Sequence, residues 1–475
     1  MCSEHNTKIG LLLLGCERFR TLGETSSEGS YDVRVQQRAK KIASKLSATM
    51  DVVSNGVVYD REQCREAIAA FQAMRVDMVV VMFLSWVPDW VWNQFLRDMP
   101  EIPILYAHVT NDVSLGDTHE DGEFVRFLTN AGLVGVLECS GDISRYARPM
   151  LFRVNGPWDT VLQRIHTLGA AARIRSMLKE AHFGLMDSYN EVMWSTYVDP
   201  YSLFMNVGPE LHFLSIAEWA QKIKEIPLSQ ADEYTRRLEQ SYEVLEGVDR
   251  DKLVASVRAT LGMEKQAREH QLDVLVYNDV DTTMLEIIGL RPGFYPLSKE
   301  GKRCLIVPEG DIGSGIALYV LAHLGNGHVN YMEPFYVDPA LDAIVVGHAG
   351  PNDYTNPDGT MKISRDVRFE RTTYRYAGAP FAWYVFPEGR KTLLHCSQKN
   401  GRFQFVVTQV DFLPCKHFLA TYCHGRFRPV TMDCETFIAK LTQIGVTQHY
   451  LSTDGDQRSK IKDLAELLDF DYIEL

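Results

Sequence analysis

The chain lacks any run of about 18 apolar residues, the length a membrane-spanning helix needs, so none is expected. It also lacks an excess of basic charge. Its 49 Lys and Arg stand against 62 Asp and Glu, a net charge of -13, whereas nucleic acids and anionic membranes select basic surfaces. The expected partner is a small molecule or another protein. Nine cysteines are present, none at C-x-x-C spacing. An odd number without a regular framework points to reduced thiols in a cytoplasmic protein. The loose group Cys415, His417, Cys423, His424 and Cys434 is a candidate structural zinc site only by composition. Internal repeats and low-complexity linkers are absent too, so 475 residues imply two to four rigidly packed domains. The apolar run 9–14 ahead of Cys16 is too short for a lipoprotein signal core and reads as a first strand.

What is present alternates between strand and helix. Strands are expected at 8–15, 51–58, 77–83, 104–108 and 133–137, with helices at 33–49 and up to Met74. That order predicts a parallel, doubly wound N-terminal domain over 1–170, with Trp86 just past its third apolar run. A second alternating unit, 171–325, has a helix at 172–179, a strand at 182–186, a helix from Tyr189 and a strand at 211–215. A charged helical section over 216–270 and a strand at 272–277 follow. From Tyr374 the pattern becomes that of alternating strands, 382–386, 390–397 and 402–410, punctuated by Gly389, Asn400 and Gly401. The tail returns to a helix at 434–444, a strand at 448–451, a helix at 460–468 and a last strand. The expected fold class is therefore α/β. Doubly wound parallel-sheet N-terminal and central domains precede a C-terminal domain, 326–475, containing an antiparallel barrel-like sheet.

The chemistry concentrates between residues 304 and 348. A short apolar run, 304–307, is stopped by Pro308, which places Glu309 just past a strand end. Gly310, Gly313 and Gly315 allow a tight turn before a helix over 316–324. A second run, 328–332, carries Glu333 at its end, and a third, 343–346, ends in Gly347-His348. Ligands collect beyond the carboxyl ends of parallel strands, so Glu309, Glu333 and His348 would converge if the three strands are neighbours. His449, on the tail strand, could be a fourth ligand. Two carboxylates with imidazoles suit a divalent metal, Mn²⁺ first, with Co²⁺ or Mg²⁺ as substitutes. A phosphate loop does not fit, because no Lys follows the glycines of GDIGSG.

With those residues in place, the chain resembles the L-fucose isomerase and L-arabinose isomerase superfamily. The fucose-type turn E-N-D-S-L-N-G is set against Glu309-Gly-Asp-Ile-Gly-Ser-Gly315, and the second acid after the next strand against Tyr331-Met332-Glu333-Pro334. The late G-x-N-H-x-V motif is set against Gly445-Val-Thr-Gln-His-Tyr-Leu451, and the extra His of the arabinose type against His348. Two departures stand out: no clear substrate-contacting His occurs near 129–135, and the usual His-His pair is Gln448-His449. The resemblance implies an aldose–ketose isomerase with Glu309 and Glu333 as ligands and acid/base pair, and His348 and His449 as ligands. It implies a homohexamer whose sites borrow N-terminal residues from a neighbour. Trp86, Tyr189, Gln448, His424 and Arg426 are the expected substrate contacts.

The reaction suits these residues on its own terms. Moving a carbonyl between C1 and C2 needs a base for a carbon-bound proton, an acid for oxygen, and stabilisation of the enediolate by a Lewis acid. Two rivals follow from the same residues. Arg426 and Arg428 beside His424 would suit an isomerase of an anionic hexose, sulfonated (sulfoquinovose-type) or phosphorylated, and a non-catalytic sugar-binding protein could keep the fold without the metal.

Overall fold

The computed structural model describes residues 7–26, 29–110, 120–294, 304–325, 328–350, 361–368 and 377–475, together with positions 114, 116, 370, 371 and 373. Tyr374, where the alternating pattern was expected to begin, lies outside the described residues. Two compact units are formed, one ending at Ser176 and the other running Met177–Leu475.

The first unit is a parallel sheet. Its strands lie in the order Asp51–Val53, Lys8–Leu14, Met78–Phe83, Ile104–Val109, Leu151–Gly156, with Val57–Val58 beside the end of Lys8–Leu14. Every pairing is parallel, and the central strands are buried along nearly their whole length, as near-continuous apolar runs require when helices cover both faces. Helices Tyr31–Ser47 and Arg61–Ala73 start where Ser30 and Asp60 accept backbone N–H groups. One expected strand is wrong: 133–137 lies inside the helix Gly132–Arg145. A short apolar run does not by itself separate strand from helix, and here glycines decide. A Cβ at Gly132 would sit 2.2 Å from the Phe83 carbonyl and one at Gly135 would sit 2.6 Å from the Ser85 carbonyl, so the helix packs its backbone directly on the end of a sheet strand. The sheet's last strand, Leu151–Gly156, was not foreseen.

The second unit combines a parallel sheet with a barrel. The sheet runs Leu305–Val307, Val274–Tyr277, His182–Met186, Glu210–Leu214, all parallel. The barrel closes six antiparallel strands in the order Gly389–Lys399, Tyr450–Asp454, Asn330–Asp338, Ala343–His348, Cys423–Pro429, Arg402–Phe412, the last pairing with the first. Asp471–Glu474 adds in parallel to Arg402–Phe412. The Asn400-Gly401 pair, both at positive φ, makes the hairpin turn between the two longest strands. Between sheet and barrel lies the helix Ile312–Leu324, almost entirely buried and in contact with strands of both.

Several boundaries move for physical reasons. The helix starts at Ile312 rather than 316, because Asp311 caps it by accepting the Ser314 N–H at 3.0 Å. The helix expected from Tyr189 is a loop. The Tyr189 hydroxyl donates to the Val198 carbonyl and the Tyr197 hydroxyl to that of Asn190, tying the segment across itself until Pro200 opens the next helical turn. The 216–270 section divides into Ile216–Glu225, Leu228–Ser241 and Arg250–Glu269. The strand expected at 382–386 is Pro380–Trp383, in a small separate sheet with Lys362–Arg365 and Glu243–Val244. Glu333 lies within a strand, Asn330–Asp338, whose Pro334 sits at a register shift, one of the places a sheet tolerates proline. The expectation of three neighbouring parallel strands is also corrected. Only four residues join Asn330–Asp338 to Ala343–His348, too few for a parallel crossover, so the two form an antiparallel pair.

Candidate metal centre

Glu309 follows the strand Leu305–Val307 and adopts a left-handed backbone, φ 64°. For a non-glycine residue that conformation costs on the order of 1 kcal/mol, and the surroundings hold it in place. Its N–H donates to Asp279 at 3.0 Å, and the Gly310 N–H donates to the Tyr277 carbonyl. Asp279 is itself fixed in a buried ion pair with Arg291 at 2.5 Å. Gly310 has φ 74°, and a Cβ there would come within 2.8 Å of the Asn190 nitrogen, so the turn needs glycine on both counts.

The other groups come from the barrel. Asn330–Asp338 is flanked by Tyr450–Asp454 on one side and Ala343–His348 on the other. Met332 pairs with Tyr450, so the register carried one residue further sets His449 opposite Glu333, and Glu333 pairs with Gly347, the neighbour of His348. His449 itself precedes its strand rather than lying on it. Glu309, Glu333, His348 and His449 each offer a ligand atom, all within 4.8 Å of one another. His449 Nε2 stands 3.1 Å from Glu309 and 3.7 Å from Glu333, and His348 Nε2 stands 3.6 Å from Glu309. At 3.6 Å the last pair is too long for a hydrogen bond.

Asp311 sets the orientation of His449. It accepts from His449 Nδ1 at 2.8 Å while it also caps the helix, which leaves Nε2 turned toward the two glutamates. A carboxylate behind a ligating imidazole is the usual way a metal site fixes the tautomer. His395 adds to this from the barrel wall: its Nδ1–H donates to the His449 carbonyl at 2.8 Å. Tyr331 fills the space between the two imidazoles, its ring 4.6 Å from that of His348 and 5.0 Å from that of His449.

The electrostatics follow from burial and close charges. Burial would push the Glu309 carboxyl up, but His348 and His449 outweigh it and hold it well below the usual carboxylate range. Burial pushes Glu333 up, with the Glu309 charge adding to it against His348. Burial works against a charged His449, yet Asp311 and Glu309 raise it to about 10. Both ring nitrogens of His348 are buried and have no hydrogen-bond partner. An orphaned buried imidazole beside two carboxylates is a group in want of a ligand. This buried Glu/His group can hold a metal ion. No protein-family model matches the chain, and no curated protein matches it.

The residues expected to contact substrate scatter. Gln448 adjoins His449 and reaches Met193 at 3.5 Å, and the backbone of Tyr189 borders Gly310. His424 pairs across from Gly347, but Nδ1–H donates to the Tyr422 carbonyl and Nε2 accepts from the Phe418 N–H. Arg426 faces Asp338 at 3.8 Å and lies over Phe418, and Arg428 donates to the Leu341 and Asp342 carbonyls. Trp86 belongs to the first unit, where its indole N–H donates to Glu138. Among the described residues, Cys415, His417, Cys423, His424 and Cys434 do not form a ligand set: the Cys423 thiol donates to the Ala382 carbonyl and the Cys434 thiol to that of Asp342. The sequence reading missed Asp311, Tyr331, His395 and the Asp279–Arg291 pair. Only Asp311 carried a signal, an Asp three residues before Ser314 at a helix start.

Proposed function

We propose that the protein is a divalent-metal-dependent aldose–ketose isomerase of the L-arabinose and L-fucose isomerase kind. The observation that carries this reading is the buried set Glu309, Glu333, His348 and His449, with His449 oriented by Asp311. Its donor types suit Mn²⁺, with Co²⁺ or Mg²⁺ as substitutes, and such an ion supplies Lewis-acid polarisation of the two sugar oxygens. The chain's own residues move the protons. One carboxylate takes the proton from C2 of the aldose and returns it to C1. The other serves the oxygen-bound proton that must pass from O2 to O1. Opposite displacement of the Glu309 and Glu333 carboxyls is the condition under which neighbouring acids take different roles. Burial of the site excludes water that would otherwise quench the enediolate.

Arg426 and Arg428 are committed to Asp338, Phe418 and backbone carbonyls, which favours a neutral sugar over an anionic hexose. A homohexamer in the cytoplasm, with a neighbour's Trp86 reaching the site, completes the proposal. It is tested by sedimentation of the active protein, and a fully active monomer would overturn it. For the reaction, chelated protein is reloaded with Mn²⁺ and assayed against neutral and anionic aldoses and ketoses. Metal-dependent interconversion of a neutral pair is expected. Tight metal and sugar binding without turnover would instead favour the non-catalytic sugar-binding reading.

A further inference from the structure

A second group of potential ligands lies at the other end of the same parallel sheet. His182 opens the strand His182–Met186, and Glu210 and His212 begin the neighbouring strand Glu210–Leu214. The parallel register pairs His182 with Glu210 and Gly184 with His212. Alternate residues of a strand share a face, so His182, Glu210 and His212 all project from one side of the sheet. The two imidazoles stack, with centroids 5.1 Å apart and planes 17° from parallel. His182 Nδ1 stands 3.0 Å from His212 Nε2, and that same nitrogen stands 3.6 Å from Glu210. One ligand atom from each residue falls within 4.8 Å of the others.

We propose that His182, Glu210 and His212 form a second metal site, selective for the late first-row divalent ions Zn²⁺, Ni²⁺ and Cu²⁺. Two imidazole nitrogens bound to one ion at about 2.0 to 2.1 Å are separated by roughly 2.9 Å at a right angle and roughly 3.4 Å at the tetrahedral angle. The observed 3.0 Å lies in that interval, so chelation needs ring rotation but no movement of the strands. Without an ion, one of the two facing nitrogens donates its N–H to the other. Binding needs the lone pairs of both, so the donor ring changes tautomer and carries its proton on its other nitrogen. Two imidazoles and one carboxylate favour the later metals, whereas the Glu309 group, with two carboxylates, also suits harder ions.

The sites are independent by construction. Every strand of this sheet runs in the same direction, and His182 begins one strand while Glu309 follows the end of another, so they occupy opposite ends. Glu210–Leu214 is one of the two edge strands. An ion held there clips the edge to its neighbour, a role that does not depend on the isomerase reading.

The test strips the full-length protein with chelator and titrates it with Zn²⁺ against a chromophoric competitor. The double variant His182→Gln/His212→Gln is expected to retain one ion per chain fewer than the wild type, with the Glu309-dependent ion unaffected. Retention of the same number overturns the proposal. Glu210 carries a side chain 61% exposed, so Glu210→Gln leaves folding intact. It is expected to weaken the same class of ion by at least about tenfold, since even an outer partner of a ligand contributes that much. Unchanged affinity in this variant overturns the proposal even if the double variant does not fold.

Discussion

Replacing Asp311 by Asn separates orientation of the metal site from its ligands, because no ligand is removed. Asp311 has two jobs on two oxygens: Oδ1 accepts from the Ser314 N–H at 3.0 Å, and Oδ2 accepts from the Ser314 hydroxyl at 2.7 Å and from His449 Nδ1 at 2.8 Å. Asparagine is as good an N-cap as aspartate, so the helix Ile312–Leu324 keeps its start. What changes is the face toward His449. An amide NH₂ there offers donors to Nδ1, which stabilises the tautomer with the proton on Nε2, the nitrogen that faces Glu309 and Glu333. Loss of such a supporting partner typically costs 10- to 100-fold in metal affinity, or about 1.4 to 2.7 kcal/mol. Calorimetric titration of the chelated protein with Mn²⁺ near neutral pH measures it, with Asp311→Ala as a comparison that additionally loses about 1 kcal/mol of capping. A folded Asp311→Asn protein that binds Mn²⁺ as tightly as the wild type would refute the orienting role.

Glu309→Gln and Glu333→Gln keep the shape of the site but remove charge and basicity. Each is expected to lower turnover of the true sugar pair by about 10²- to 10⁴-fold even at saturating metal, and near-normal rates in both would remove this turn from the catalytic centre. His348→Ala removes a proposed ligand whose ring nitrogens make no hydrogen bond, so its activity should recover in part as Mn²⁺ is raised; a loss that metal cannot restore at all would count against ligation. In the metal-free protein His449 is raised from 6.5 to about 10, so its contribution to stability is complete below 6.5 and disappears as pH climbs toward 10. The melting temperature of chelated protein should therefore fall across that interval. Over the same interval Mn²⁺ uptake should release about one proton per ion, read from the buffer dependence of the binding enthalpy, and affinity should rise with pH. A pH-independent affinity would contradict the Asp311–His449–Glu309 arrangement.

Glu309, Glu333 and His348 were legible in the sequence because each follows a short apolar run, and His449 because it falls in the tail segment 448–451 that reads as a strand. The strand–helix alternation and the Asn400-Gly401 hairpin were legible for a related reason: local periodicity and turn chemistry are properties of a few consecutive residues. The route to convergence was not legible. Glu309 arrives from a parallel sheet and the other three from an antiparallel barrel, and pairing between distant strands leaves no mark in either segment alone. The same holds for Gly135, which read as part of an apolar strand until the Ser85 carbonyl was seen against it, and for Gly132 just ahead of that run, which meets the Phe83 carbonyl. It holds for Asp311, whose capping role is local but whose bond to His449 spans 138 residues. Sequence by itself determined the class of fold and singled out the four side chains that the structure brings together. The tertiary structure alone decided which atoms face each other, because distance between side chains is set by strand register and packing summed over the whole unit.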